Sequence, residues 1–278
     1  MAKTNEGDIP LKPRACILRT DGTNCDEELF YAFEKFGAAP QYVQVNQLRS
    51  KDLKLRDFQI LALPGGFSYG DDIASGKVLA IELISFLKDE LAEFIAKKGL
   101  ILGICNGFQT LVRTGLLPFN NLGKMDATLA QNESGHFECR WVKVKIEKSK
   151  CVFLSQSLPD TVSGYKDTVS LDIAVNHGEG KFFADSATLK KLESQNLVTF
   201  RYVDESGKPT QNYPQNPNGS VNAIAGVCDP TGRILGLMPH PEKFVKLTQH
   251  PNWRRLPKDT KPHGAHIFEN MIRFAKQQ

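Results

Sequence analysis

The sequence lacks the features of membrane, secreted and polyanion-binding proteins. No apolar run approaches the roughly 18 residues that a membrane-spanning helix needs, and residues 1–14 contain no apolar signal-peptide core. The formal net charge of +4 over 278 residues is too small to favour nucleic acid or an anionic membrane surface. We therefore expect a protein with no nucleic-acid and no membrane partner.

Cysteine is also sparse. The six cysteines, at positions 16, 25, 105, 139, 151 and 228, are widely spread and form no Cys-x-x-Cys pair. Disulfide frameworks are typical of short, secreted, cysteine-dense chains, and this chain is long enough to bury a core without such cross-links. We expect reduced thiols, a cytoplasmic location and no metal site.

The basic charge is concentrated towards the C-terminal end. Residues 242–278 contain eight Lys or Arg and three Asp or Glu, a net charge of +5, which leaves −1 for residues 1–241. We predict a polar N-terminal arm over 1–13, one α/β domain over 14–243, and a basic extension over 244–278. The extension is expected to end in a helix near Ile267–Lys276 that packs on the same domain.

Apolar runs alternate between strand and helix patterns. The first part of the chain predicts a β-α-β-α order, which favours an open, mostly parallel sheet with helices on both faces. Its predicted strands cover 15–19, 42–45, 58–63 and 100–104, and its helices cover 23–37, 76–97 and 108–115. Antiparallel additions are predicted at 137–146, 221–228 and 233–238, the last two joined by a turn at 229–232.

The most informative segment surrounds Cys105. Gly103-Ile-Cys105-Asn-Gly107 follows a buried strand and precedes a helix, which is the Gly-x-nucleophile-x-Gly pattern of a nucleophile elbow. The helix N-terminus is expected to favour a thiolate. A free cysteine is more often a buried, inert residue, and we hold that interpretation for the other five cysteines.

A base and an orienting carboxylate stand together in Met238-Pro-His240-Pro-Glu242. The prolines favour an extended backbone, in which residues two apart project to the same side. His240 and Glu242 can therefore meet, and with Cys105 they have the composition of a catalytic triad. Taken alone, His-Pro-Glu is equally compatible with a surface turn.

A third element follows the strand that ends at Leu63. Its glycines let backbone N–H groups approach a ligand, so the N–H groups of Gly66 and Asn106 are candidates for an oxyanion hole. Two weaker patterns carry no function. The 70–78 segment lacks the spacing and the Ser/Thr of a phosphate loop, and His263 and His266 are expected to be surface residues.

Together these motifs resemble class I glutamine amidotransferases. Longer strings are similar to the glutaminase subunits of phosphoribosylformylglycinamidine synthases: TDGTNCDEE at 20–28, LPGGFSYGDD at 63–72, GICNGFQ at 103–109, NESGHFECRWV at 132–142, NHGEGKF at 176–182 and MPHPE at 238–242. Lys243 stands where that family usually has arginine. The resemblance implies a flavodoxin-like sheet.

The resemblance also implies a chemistry. Cys105 would attack L-glutamine to give a thioester, with His240 as base and acid and Glu242 orienting it, releasing glutamate and ammonia. The ammonia would pass to a synthetase subunit, with or without a small bridging subunit. ATP and Mg would bind there and not on this chain. The remaining candidate glutamine contacts are Gln109, Phe67, Ser134, Gly135 and His136.

Three alternatives remain open at this stage. They are a related amidotransferase with another acceptor, a stand-alone γ-glutamyl hydrolase, and a non-catalytic regulatory subunit of a synthetase. The strings at 63–72 and 132–142 disfavour the first two, and the complete Cys105/His240/Glu242 set disfavours the third. The strings at 132–142 and 176–182 are either strand ends and turns, or the lining of the glutamine pocket or of the synthetase-facing surface.

Overall fold

Strands and helices alternate along the chain in a computed structural model that describes residues 12–154 and 170–277. The predicted arm over 1–13 lies almost wholly outside these residues. The strands are β1 Arg14–Arg19, β2 Ala39–Gln44, β3 Ile60–Leu63, β4 Leu100–Ile104, β5 Thr128–Ala130, β6 Glu138–Ile146, β7 Ser170–His177, β8 Lys181–Phe183, β9 Val198–Tyr202, β10 Ile224–Cys228 and β11 Ile234–Leu237. The helices are α1 Asp26–Lys35, α2 Val45–Arg49, α3 Lys77–Phe86, α4 Lys88–Ala96, α5 Asn106–Arg113, α6 Ser186–Ser194 and α7 Ala265–Ala275.

The main sheet has a parallel half and an antiparallel half. Its strand order is β2-β1-β3-β4-β11-β10-β9-β6-β7, and the first five strands run parallel. That half has the 2-1-3-4-5 order of flavodoxin-like sheets. The buried strand β4 lies between β3 and β11, an interior position that its continuous apolar sequence predicts. The predicted open α/β sheet is confirmed.

The other strands pair antiparallel, as was predicted for the segments at 137–146 and 221–228; β7 and β9 were not predicted. The segment at 233–238, predicted as an antiparallel addition, pairs antiparallel with β10 but also parallel with β4. β10 and β11 form the hairpin, and β9, β6 and β7 extend the sheet beyond them. At the hairpin turn, the Asp229 carboxylate accepts hydrogen bonds from the backbone N–H groups of Thr231 and Arg233. A separate two-stranded sheet pairs β5 with β8. In the described residues no helix has both the length and the apolar character needed to cross a bilayer.

Several predicted elements have different boundaries. The helix predicted over 76–97 is two helices, because the backbone leaves the helical conformation at Leu87 (φ −122°, ψ 11°). The residues Leu83, Leu87 and Leu91 are all buried at four-residue spacing, so the apolar period continues through the break and hides it. Val45 begins α2 instead of ending a strand, and the strand predicted from 221 begins at Ile224.

Helix α7 packs into the core. The predicted helix at 267–276 is observed at Ala265–Ala275, with Phe268 and Met271 fully buried. The Phe268 ring lies edge-on to Phe33 of α1 with centroids 5.3 Å apart. Asn270 Nδ2 donates to the Phe153 carbonyl at 2.8 Å. The domain boundary at 243 stays a prediction, although this helix shares the core of the sheet.

The residue before α7 touches the His240-Pro241-Glu242 segment. Gly264 N donates to the Phe244 carbonyl at 2.9 Å. A Cβ added at Gly264 would overlap the Pro241 carbonyl. The extension is therefore seated directly on the turn that carries the predicted base.

Candidate active site

Three neighbouring parallel strands end at the same edge of the sheet. Leu63 at the end of β3 is in register with Gly103 of β4, and Ile104 at the end of β4 is in register with Leu237 of β11. The loops that follow these strands therefore start side by side. This carboxyl edge is where open α/β sheets bind ligands, and it brings the segments of Gly66, Cys105 and His240 together.

The segment around Cys105 is a strained turn between β4 and α5. Cys105 has φ +51° and ψ −105°, a conformation that costs a non-glycine residue about 1–3 kcal/mol. Its neighbours must be small: a Cβ on Gly107 would overlap the Leu63 carbonyl, and one on Gly103 would lie 2.7 Å from the Gly107 carbonyl oxygen. The Cys105 N–H donates to the Leu237 carbonyl at 2.8 Å, which ties the turn to β11.

The Cys105 thiol is buried, and its environment favours the protonated form. Burial, then the neighbouring Cys25 and the Glu242 carboxylate, raise the pKa of the Cys105 thiol above its ordinary value. The N–H of Asn106 and the Lys243 ammonium act in the opposite direction. The expected effect of the helix N-terminus is therefore outweighed. A base has to remove the proton from this thiol, which donates to the Asn176 carbonyl at 3.3 Å.

His240 and Glu242 meet as the sequence predicts. Their Nδ1 and Oε1 atoms lie 2.6 Å apart, and both side chains are buried. The His240 N–H donates to the Ala174 carbonyl at 2.8 Å, which anchors the extended segment on β7. Because Nδ1 faces the carboxylate, Nε2 is left for proton exchange, and within the described residues it has no hydrogen-bond partner.

Glycines 65 and 66 form the wall beside His240. Gly66 has φ +139°, and a Cβ there would lie 2.7 Å from the Asn24 nitrogen. The loop is fixed on the 20–25 segment, because Phe67 N–H donates to the Gly22 carbonyl at 2.9 Å and the Gly65 carbonyl accepts from Cys25 N–H at 3.2 Å. These bonds do not use the Gly66 N–H, which is the group predicted for the oxyanion hole.

Asn106 joins this loop to α5. Its Nδ2 donates to Asp71 Oδ1 at 2.9 Å and to Gln109 Oε1 at 3.2 Å. Its Oδ1 accepts from the Ser68 N–H at 3.3 Å. The two segments predicted to supply the oxyanion N–H groups are therefore held together by one buried amide side chain.

Two of the further candidate contacts differ in their environment. Gln109 is buried, and its Nε2 donates to the Glu179 carbonyl at 2.5 Å. Its amide is thus engaged within the protein, which suits a residue that shapes the site. Phe67 is 41% exposed and lies 6.1 Å from the ring of Phe137, which is 51% exposed. This aromatic pair stands on the surface beside the Gly65-Gly66 loop.

Ser134, Gly135 and His136 lie in a loop whose connection to the triad is indirect. Asn132 Nδ2 donates to the carbonyls of His136 and His177, at 2.9 and 2.8 Å. Ser134 and His136 line a cavity of about 370 Å³ whose lining contains none of the triad residues. Their predicted contact with glutamine stays a prediction.

His177 is a functional candidate that the sequence marked only through the 176–182 string. The Asn132 Oδ1 lies 3.1 Å from its Nδ1, and Asn218 Nδ2 lies 3.4 Å from its Nε2. Since that Asn132 oxygen also accepts from Gly180 N–H, Nδ1 is the protonated nitrogen. Burial, followed by the charge of His240, lowers the pKa of His177 to about 3. The imidazole is therefore neutral at physiological pH.

Cys25 and Lys243 are two further functional candidates, to which the sequence analysis assigned no role. The ligand atoms of Cys25, His240 and Glu242 lie within 4.8 Å of one another, and all three are buried. Burial and then the Glu242 charge raise the pKa of the Cys25 thiol to about 12, against the effect of a hydrogen bond with Lys243. A metal ion among these groups would compete with the His240–Glu242 hydrogen bond and would face the Lys243 ammonium. The TNCDEE string was the only signal for Cys25.

Two predictions about burial are wrong. Cys139 is exposed and is therefore not a buried thiol. His263 and His266 are partly buried. His263 Nδ1 accepts from the Asp172 N–H at 2.7 Å, and its ring packs 5.2 Å from Phe244. Packing of β7 against the C-terminal segment, which periodicity does not encode, covers His263.

The chain is similar to known proteins over nearly its full length. Residues 12–275 match the family described as CobB/CobQ-like glutamine amidotransferase domain. The phosphoribosylformylglycinamidine synthase subunit PurQ of Dehalococcoides mccartyi is 44% identical over 267 residues, which cover 96% of this chain and 99% of the relative. The PurQ subunit of Methanococcus maripaludis is 39% identical over 274 residues, with coverages of 96% and 97%.

Solved structures of glutamine amidotransferases are also similar to this chain. A chain in the structure of PurLQS from Thermotoga maritima matches with a TM-score of 0.70 and 31% sequence identity, over 95% of this chain and 99% of that chain. A glutamine amidotransferase from the same organism matches with a TM-score of 0.51 at 15% identity, over 96% and 99% of the two chains. The second likeness concerns the fold alone. The predicted flavodoxin-like sheet is therefore one that known glutamine amidotransferases share.

Proposed function

This chain belongs to the family of CobB/CobQ-like glutamine amidotransferases, and from that premise we propose that it is the glutaminase subunit of a phosphoribosylformylglycinamidine synthase. It would hydrolyse L-glutamine and deliver ammonia for the conversion of formylglycinamide ribonucleotide to formylglycinamidine ribonucleotide in purine biosynthesis. The observation that carries the proposal is the strained Cys105 turn at the same sheet edge as the hydrogen-bonded His240–Glu242 pair. The 44% identity to a PurQ subunit supports the choice of acceptor.

In the first chemical step, His240 Nε2 takes the proton of the Cys105 thiol, and the sulfur attacks the side-chain amide carbon of glutamine. Because burial raises the pKa of the thiol, removal of this proton and attack on the amide are coupled. Glu242 holds the imidazole in one tautomer and stabilises its protonated form. His240 then returns the proton to the amide nitrogen, which leaves as ammonia.

The tetrahedral intermediate carries a negative oxygen. We assign its stabilisation to the N–H groups of Gly66 and Asn106, which belong to the loop and helix joined by the Asn106 side chain. Loss of ammonia leaves a γ-glutamyl thioester on Cys105. Water, deprotonated by His240, attacks this thioester and releases glutamate with the free thiol.

The ammonia acceptor is activated elsewhere. The relative in Thermotoga maritima is part of a structure named PurLQS, and we propose an equivalent synthetase subunit as partner, with or without a small bridging subunit. ATP and Mg are assigned to that synthetase. We also infer a cytoplasmic location, where reduced thiols such as that of Cys105 persist.

The test compares two nitrogen sources in the assembled complex. Cys105→Ala should abolish amidine synthesis from glutamine and leave synthesis from added ammonium salt intact, because only thioester formation is lost. Cys139→Ser, at an exposed thiol, is the matched control. It should retain both reactions, because the serine oxygen can still accept the hydrogen bond that Asn176 Nδ2 donates to the Cys139 sulfur. Full glutamine-dependent activity in Cys105→Ala would contradict the proposed nucleophile.

The partner is tested separately. Glutamine hydrolysis by the purified chain should accelerate when the synthetase is added, because ammonia production is useful only in the complex. Equal rates with and without the synthetase would indicate a stand-alone γ-glutamyl hydrolase. No hydrolysis under either condition, with bound synthetase, would indicate a regulatory subunit.

A further inference from the structure

Lys243 follows the triad carboxylate in sequence and reaches back towards the nucleophile. Its Nζ donates to Asn176 Oδ1 at 3.0 Å. The main-chain carbonyl of Asn176 accepts from Cys105 Sγ at 3.3 Å. A cation and the nucleophilic sulfur are therefore bonded to one and the same residue of β7.

The Cys25 thiol is a second neighbour of the ammonium. Lys243 acts on this thiol by lowering its pKa, and the Cys25 sulfur lies within 4.8 Å of ligand atoms of His240 and Glu242. Burial and the Glu242 charge nevertheless raise the pKa of Cys25 to about 12, so this thiol is neutral at physiological pH. Neither Asn176 nor Cys25 therefore cancels the positive charge of Lys243.

The charges around Cys105 show how the Lys243 ammonium can affect the thiol. The titratable or charged groups that interact with the Cys105 thiol are Cys25, Tyr202, Glu242 and Lys243, and His240 lies beside Cys25 and Glu242. Burial and the Glu242 carboxylate both oppose a negative charge on sulfur, whereas the Lys243 charge favours it. The Glu242 carboxylate, which orients His240, thus disfavours the Cys105 thiolate, and the Lys243 ammonium opposes that effect.

We propose that Lys243 is an electrostatic positioning residue, held by Asn176, that stabilises the Cys105 thiolate. The proton leaves sulfur for His240 Nε2, the electron pair stays on sulfur, and the ammonium offsets the carboxylate charge while the thiolate attacks. Lys243 itself exchanges no proton and forms no bond to substrate. This inference rests on the proposed glutaminase chemistry for its consequence, but the thiolate can be measured without glutamine.

The test follows the reactivity of one sulfur. The rate constant for Cys105 alkylation by iodoacetamide is measured at about pH 8 by mass spectrometry of the Cys105 peptide, because below the pKa of the thiol this rate is proportional to the thiolate fraction. Lys243→Met should lower the rate constant about tenfold, since loss of a nearby opposite charge raises a thiol pKa by about one unit. Lys243→Arg should keep the wild-type rate constant. Lys246→Met, which removes an exposed cation over the Tyr31 ring, controls for the change in net charge.

Turnover supplies the second readout. At pH 7, Lys243→Met should lower kcat for glutamine hydrolysis about tenfold, with KM changed less than twofold, since a one-unit shift is a tenfold change in an equilibrium. Lys243→Gln, which keeps a donor to Asn176, should show the same shift. It separates charge from the hydrogen bond, and it replaces Lys243→Met if that variant does not fold.

An unchanged alkylation rate constant in the folded neutral variants would overturn the proposal. So would an equal loss of rate in Lys243→Arg, because that variant keeps the charge. If Cys105→Ala retained glutamine-dependent activity while the neutral variants lowered the alkylation rate, the proposed function would fail and the electrostatic role would stand. The two failures are therefore distinguishable.

Discussion

The backbone of Gly65 lies directly against the imidazole of His240. A Cβ added at Gly65 would be 2.7 Å from His240 Cε1 and 3.3 Å from Cys25 Sγ, closer than real Cβ contacts. The glycine after β3 therefore sets the position of a ring supplied by the segment after β11. The Gly-Gly sequence serves two purposes, since Gly65 makes room for the base and Gly66 supplies the positive φ of the turn.

Gly65→Ala should impair catalysis through His240. The added methyl displaces the ring, and a misplacement of about 1 Å costs roughly a hundredfold in rate. We expect kcat for glutamine hydrolysis to fall by about that factor with the fold retained. Gly178→Ala is the matched control, because its Cβ would meet only the Phe137 ring at 3.8 Å. Similar kcat values for the two variants would contradict the assigned contact.

Glu242→Gln tests the tautomer of His240. The amide keeps the shape of the side chain but removes the charge that stabilises the imidazolium. We expect kcat to fall by about 10²–10⁴-fold, the range contributed by a positioned base, with little change in KM. Glu34→Gln, at an exposed position of α1, should be neutral. Wild-type kcat in Glu242→Gln would remove the carboxylate from the mechanism.

His177 should make the folded state sensitive to acid. Its pKa is about 3 when folded, against an ordinary value of 6.5, so the unfolded chain takes up the proton more readily. The stabilisation of the folded state by the neutral His177 ring is fully present above pH 6.5 and is lost as the pH falls towards 3. At pH 5, proton uptake by the unfolded chain at this residue lowers the free energy of unfolding by about 2 kcal/mol.

The measurement is urea unfolding at pH 8 and pH 5. The loss of unfolding free energy between these two values should be about 2 kcal/mol smaller in His177→Gln than in the wild type. His136→Gln, at an exposed histidine, is the control and should leave the difference unchanged. An identical pH dependence in His177→Gln and the wild type would show that His177 is not the linked group.

Phe268→Ala should destabilise the whole domain. The ring is fully buried against Phe33, and truncation of a buried phenylalanine costs about 3–5 kcal/mol. Phe86 is 58% exposed, with the Arg49 guanidinium 4.0 Å from its ring centroid. Phe86→Ala should therefore cost no more than about 1 kcal/mol. Equal losses, measured by denaturant unfolding, would mean that α7 is not part of the cooperative core.

The sequence predicted the elements whose signals are local. Gly103, Cys105 and Gly107 mark a strand-to-helix turn by themselves, and the prolines around His240 fix the backbone that brings Glu242 to it. The parallel order of the first strands follows from the alternation of strand and helix. In each case the physical cause lies within a few neighbouring residues.

Contacts between distant segments were not predictable in the same way. Cys25 reaches His240 only because the loops after β1 and β3 pair with each other. Lys243 meets Asn176 only because β7 forms a bridge, between Ala174 and His240, with the segment that follows β11. The protonation of Cys105 depends on burial, which its position before α5 does not reveal. The same holds for the break at Leu87, where the apolar spacing continues although the helix does not.

The contact between Gly264 and the Pro241 carbonyl has a consequence for the order of events during synthesis. The ribosome releases the chain from its N-terminus, so Cys105, His240 and Glu242 all emerge before Gly264 and α7. Until α7 docks, the turn that holds His240 lacks the surface on which it rests. A nascent chain would thus already contain every reactive group before the segment that supports the His240 turn has docked on it.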